Sequence, residues 1–247
     1  VILVLWDIDR TLLYVGDTDR LVYREVFRDT VGREATKLPA RGTGLTMPLA
    51  VRELLLTNDV PFTDVDALTK HIVQQLPDRL AHHHQALSAN GHLMPGAVQA
   101  LSAVRGAPHL IPSIVTGNLK ASAEIKLTAF GLDAFVEIAL GGYASDDPHR
   151  PHLVSIAQQR ATAAYRRAFD RRNTVIVGDS LQDVSTGREG GAHVIGVASG
   201  TTSREALIEA GADHVIPDLT DTRRLLKLIA ETGNHTSPCI TPTGWQQ

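Results

Sequence analysis

Two aspartates one residue apart, Asp7 and Asp9, follow directly on the apolar run Val1-Ile2-Leu3-Val4-Leu5-Trp6. At the carboxyl end of a strand both side chains can face one crevice, the place where open α/β sheets bind ligands. A second pair, Asp179 and Asp183, ends another apolar run, Thr174-Val175-Ile176-Val177-Gly178. Its i, i+4 spacing puts both on one face of a starting helix. Carboxylates drawn into one crevice repel and raise each other's pKa unless a cation sits among them. All-oxygen donors without histidine or cysteine suit a hard ion, Mg2+ ahead of Ca2+ or Zn2+. The plainer reading of the same residues is a pair of capped turns, with Asp179 as an N-cap and Asp183 on a helix surface.

Two further features suit an anion. Thr116-Gly117-Asn118 closes the run Ser113-Ile114-Val115 and opens onto a helix; a hydroxyl and free backbone N–H groups there form an anion cradle, or merely a capped turn. Arg150 stands just before Pro151, a helix-start signal, and its fixed charge can neutralise phosphate oxygens if it faces the crevice. His149 and His152 flank it, and exposed loop histidines are the default for them. His82-His83-His84 has no second cluster at ligand spacing, so surface polarity is the expectation.

Positioning these groups requires a parallel sheet. Short β-rich runs at 1–6, 110–115, 135–140, 174–177, 193–197 and 214–216 alternate with helical patterns at 96–104, 119–130, 151–169, 181–189, 203–209 and 221–230. Continuous rather than alternating hydrophobicity marks strands buried on both faces. The fold expected is α/β: a doubly wound, Rossmann-like parallel sheet with an inserted α-helical module. Pro112 suits a central strand poorly and is expected at the strand's start, leaving 113–116 as the paired part. Residues 15–92 break the alternation, with helices expected at 18–31, 47–57 and 64–89. The division expected is 1–14 and 93–231 for the core, 15–92 for the insertion, and 232–247 as a disordered tail.

Composition narrows the classes. A formal net charge of −3 and the lack of any Lys/Arg stripe give no reason to expect nucleic-acid or membrane binding. One cysteine, Cys239, excludes an internal disulfide and leaves little room for thiol chemistry. A reducing, cytoplasmic setting is expected from it. The Arg41-Gly42-Thr43-Gly44-Leu45-Thr46 stretch lacks the third glycine and the preceding strand of a dinucleotide loop.

The four stretches, in this order, resemble the motifs of the haloacid dehalogenase superfamily, most closely its phosphoglycolate-phosphatase-type branch, over about residues 1–230. The resemblance implies a magnesium-dependent phosphatase acting through an aspartyl-phosphate, on a small phosphorylated metabolite. Asp7-Ile8-Asp9-Arg10-Thr11-Leu12 is similar to the first motif, with Asp7 as nucleophile and Asp9 as general acid/base. Thr116, with Gly117 and Asn118, is similar to the second and binds the transferring phosphoryl group. Arg150 stands where lysine is usual, and Asp179 and Asp183 match the metal-binding fourth motif. Metal contacts are thereby implied for Asp7, Asp9, Asp179 and Asp183, and the insertion matches a helical C1-type cap whose loop at Arg41, Gly42 and Thr43 touches substrate. Arg10 replaces a more usual glycine. A phosphomutase of the same superfamily, or a non-catalytic phosphate-binding domain, is the alternative.

Overall fold

The computed structural model describes residues 1–40 and 44–232. Its elements are β1 (Ile2–Trp6), β2 (Leu13–Tyr14), α1 (Thr18–Val31), α2 (Met47–Thr57), α3 (Phe62–His82), α4 (His84–Asn90), β3 (His92–Leu93), α5 (Ala97–Gly106), β4 (Leu110–Thr116), α6 (Lys120–Ala129), β5 (Gly142–Tyr143), α7 (Arg150–Tyr165), β6 (Thr174–Gly178), α8 (Leu181–Gly190), β7 (His193–Val197), α9 (Arg204–Ala210), β8 (His214–Ile216) and α10 (Thr222–Thr232). Six strands form one parallel sheet in the order β5-β4-β1-β6-β7-β8. The sequence order reverses on either side of β1, so the ends of β1, β4 and β6 adjoin at the switch point.

β1 is apolar throughout because both its faces are covered. Ile2, Val4 and Trp6 join the cluster that contains Leu101 of α5 and Ile229 of α10, whereas Leu3 and Leu5 join Leu153 and Val154 of α7 on the other face. No helix among the described residues is long and apolar enough to cross a membrane.

Three sequence expectations change. Residues 135–140 form no strand; two short 3-10 turns, Asp133–Phe135 and Ile138–Leu140, occupy the region. The third strand is instead Gly142–Tyr143, which pairs with Val115 and Thr116. Glycine is required there, since a Cβ on Gly142 would meet the Leu153 carbonyl of α7 at 2.2 Å. Pro112 lies within the paired strand, opposite Val4, rather than at its start. Its carbonyl accepts from the Glu137 N–H at 2.8 Å, on the side away from β1, so the missing donor also faces a turn segment and interrupts no ladder. Finally, the helix expected over 64–89 is two, α3 and α4, broken at His83, whose ring lies 2.9 Å from a Glu25 carboxylate oxygen.

The helices α1 to α4 leave and rejoin the sheet domain through a two-residue antiparallel pairing, Leu13 with Leu93 and Tyr14 with His92. They then fold back over the carboxyl ends of the strands, with α3 and α4 packed against α6. The stretch read as a disordered tail lies, but for Thr232, outside the described residues.

Candidate active site

Asp7 is the first residue beyond β1, and its N–H donates to the Val177 carbonyl of β6 at 3.0 Å. That bond holds the turn after β1 beside the turn after β6. Asp7, Asp179 and Asp183 are all buried, and each offers a carboxylate oxygen within 4.8 Å of the others. Asp183 is therefore not a surface residue, and the N-cap of α8 is Ser180, in a capping box with Asp183. Thr11, which sequence reasoning did not single out, donates to Asp179 at 3.1 Å and ties the turn after β1 to the turn after β6.

Arg150 is bonded directly to this trio. Nη2 of Arg150 lies 3.2 Å from Asp7 and also binds Asp183. Ionised together, the three carboxylates outnumber the guanidinium bonded to them, which suits a further cation. Burial, and next the charge of Asp183, raise the Asp7 pKa well above the ordinary carboxylate range despite Arg150. The same two causes push Asp179 up to about 7, against the Thr11 hydrogen bond and the charge of Arg10. The oxygen-only donor set and these raised pKa values both fit a bound metal ion.

Asp9 faces elsewhere. Its carboxylate is absent from the trio and accepts instead from Asn118 Nδ2 at 2.7 Å and from Lys126 Nζ at 2.9 and 3.0 Å. Asn118 Nδ2 also reaches the Thr116 hydroxyl at 2.8 Å. The turn after β4 thus places Thr116 and orients Asp9 at once. Lys126 was missed from the sequence; the available signal was a lysine at i+3 and i−1 from Ala123 and Leu127, on the buried face of α6.

Residues 44–47 lie against the turn after β4 and the start of α7. Arg150 Nη1 donates to the Gly44 carbonyl at 2.6 Å, Met47 N–H to the Gly117 carbonyl at 2.7 Å, and the Thr46 hydroxyl to the Pro148 carbonyl at 2.9 Å. Gly117 permits the approach, since a Cβ there would meet the Leu45 carbonyl at 2.7 Å. The pocket, partly open to solvent, is lined by Asp7, Asp9, Thr116 and Arg150 and, from residues 14–47, by Tyr14, Arg20, Tyr23 and Leu45 among others. Arg41, Gly42 and Thr43 lie outside the described residues. His149 and His152 are exposed, and His152 is paired with Asp147 at 3.0 Å. Arg10 takes a left-handed backbone conformation, φ 65°, with its guanidinium 4.6 Å from the Tyr14 ring centre.

Comparison with known proteins gives the same frame. Over 220 residues the chain is 27% identical to the probable phosphatase IndB of Dickeya dadantii, covering 87% of this chain and 89% of that protein. It is 24% identical over 197 residues to the phosphoglycolate phosphatase of Haemophilus influenzae, covering 73% and 84%. A β-phosphoglucomutase from Clostridium difficile shares the fold with a TM-score of 0.69 at 12% identity, covering 95% of this chain and 97% of that one. The model of the haloacid dehalogenase-like hydrolases matches residues 4–188, three quarters of the chain. The chain is a hydrolase and belongs to the haloacid dehalogenase-like family.

Proposed function

We propose that this hydrolase is a Mg2+-dependent phosphatase, phosphoglycolate-phosphatase-like, that cleaves a small phosphate monoester through an aspartyl-phosphate. The observation that carries the reading is the separation of the two aspartates of the first turn. Asp7 sits among carboxylates beside Arg150, whereas Asp9 is turned toward the pocket and held by Asn118 and Lys126. Two like groups in unlike surroundings suit two roles.

In this scheme a carboxylate oxygen of Asp7 attacks phosphorus, and the bond from phosphorus to the ester oxygen breaks. Asp9 passes its proton to that departing oxygen. Asp9 then takes a proton from water, whose oxygen attacks phosphorus and frees Asp7 and inorganic phosphate. Thr116, the N–H groups of Gly117 and Asn118, and Arg150 hold the remaining phosphoryl oxygens. Asp7, the backbone carbonyl of Asp9, Asp179 and, through its support of them, Asp183 form the place for Mg2+, which when bound screens the repulsion between two anions.

Residues 15–92 act in this reading as a cap on a core of 1–14 and 93–231, excluding bulk water and receiving the leaving group. Gly44 and Leu45 line the pocket, which supports Arg41, Gly42 and Thr43 beside them as substrate-contacting residues. The two phosphatase relatives favour hydrolysis over transfer to a sugar. The test is a panel of phosphate esters, phosphoglycolate among them, assayed with Mg2+ and with EDTA. Released phosphate in Mg2+ alone is expected. Turnover that persists in chelator overturns the metal, and isomerised sugar phosphate without released phosphate selects the mutase instead.

A further inference from the structure

Lys126 belongs to none of the four motif stretches, yet its ammonium is completely buried beneath the pocket. It binds both oxygens of Asp9, at 2.9 and 3.0 Å, and the carboxylate of Asp19, at 2.7 Å. Burial works against its charge, but Asp19 and Asp9 more than offset this, and its pKa lies above the ordinary lysine range. Asp19 stands in the first turn of α1, inside the insertion, whereas Lys126 and Asp9 belong to the sheet domain. One ammonium therefore spans the seam between the two.

Stability alone accounts poorly for such a triad. Buried ion pairs seldom outperform apolar residues of similar size, because the desolvation cost consumes the attraction. What the lysine supplies is orientation. Gripped through both oxygens, and through Asn118 at 2.7 Å, Asp9 has its carboxylate plane fixed at the pocket wall. Without Asp19 the third donor direction of the ammonium has no carboxylate partner, and the grip on Asp9 loses its backing.

We infer that Lys126 is a positioning residue for Asp9, and that Asp19 makes this positioning depend on the insertion being docked over the site. The inference rests on the phosphatase reading of Asp9. It gives the general acid a geometry that is complete only when the pocket is shut, so proton delivery is coupled to closure.

The test compares single-turnover release of phenol from phenyl phosphate with release of 4-nitrophenol from 4-nitrophenyl phosphate, in Mg2+, by rapid quench. The two esters are nearly the same shape, but 4-nitrophenolate departs with little need of a proton. Lys126→Met is expected to slow phenyl phosphate by about 10²-fold, the low end of what general acid catalysis supplies, and 4-nitrophenyl phosphate several-fold less. Asp19→Asn is expected to show the same preference at about one tenth of the size, and Lys126→Arg to restore part of the loss. Equal losses on both esters in Lys126→Met or Asp19→Asn overturn the inference, because general damage to the site does not sense the leaving group. Should Lys126→Met fail to fold, Asp19→Asn decides alone. A wild-type protein that releases phosphate from no ester of the panel, these two included, defeats the phosphatase reading itself, a different result from equal losses in the variants.

Discussion

Arg150 and Gly44 meet across the seam: Nη1 of the arginine donates to the glycine carbonyl at 2.6 Å, while its Nη2 is engaged with Asp7 and Asp183. A planar guanidinium carries its donors to these partners on two separate nitrogens, whereas a lysine would have to reach both sides from a single nitrogen. The replacement of the family's usual lysine therefore has a structural correlate in the closed loop at 44–47. Arg150→Lys keeps the charge and loses one charge-assisted hydrogen bond, worth about 1.5–3 kcal/mol. We expect kcat/KM to fall by about 10- to 100-fold, mainly through KM, as for an interaction that serves closure. Steady-state kinetics on the best ester of the panel checks this; an unchanged KM would count against it.

Asp9 and the metal site are separable in this geometry, because the Asp9 carboxylate is held by Asn118 and Lys126 and not by the trio. Asp9→Asn is expected to remove turnover, a loss of at least about 10²-fold. The rise in Tm on adding Mg2+ should survive. Near-normal phosphatase rates in this variant refute the assigned role.

The raised pKa values give a pH dependence of definite sign. Between the ordinary aspartate value of 3.8 and about 7, the folded protein keeps a proton on Asp179 that the unfolded chain has lost. Without metal, this group's contribution to stability is therefore greatest below that window and declines as pH rises through it. Mg2+ binds the ionised form, so its stabilisation should grow over the same interval. Thermal melts with EDTA and with Mg2+ should differ widely at about pH 8 and little at about pH 5. A metal-induced shift of equal size at both would contradict the assignment.

Arg10 occupies a left-handed conformation that costs a non-glycine residue about 1–2 kcal/mol. Glycine relieves that strain but gives up about 0.5–1 kcal/mol in chain entropy. Arg10→Gly should accordingly be more stable than Arg10→Ala by about 1 kcal/mol, or about 2–4 °C in Tm. Both variants lose the guanidinium contact with the Tyr14 ring, so their comparison isolates the backbone. Equal melting temperatures would remove the strain argument.

Much of this arrangement was legible in the residues because local pattern and chemistry coincide there. The runs ending at Asp7, Thr116 and Asp179 are strands buried on both faces, and their ends converge because the strand order makes them neighbours. The errors share a cause. The apolar run at 135–140 divides its side chains between two clusters, Val136 in one and Leu140 in the other, which a turn segment does as well as a strand. Gly142 was unreadable as strand because its reason lies across space, in the approach of α7. Lys126 was overlooked because a lysine in a helix is ordinarily solvated. Only the fold shows Asp9 and Asp19, 117 and 107 positions away, converging on it.

The pairing of Leu13 with Leu93 and Tyr14 with His92 makes the whole helical insertion, topologically, the loop of a single hairpin. A loop whose two ends are neighbours can be lengthened, shortened or exchanged without re-threading the sheet it springs from. Reactivity and choice of substrate can thus diverge at different rates in one gene, with the sheet kept and the helices replaced. Lys126 sets a condition on that freedom: a substitute module without an acid in the place of Asp19 leaves the buried ammonium to Asp9 alone.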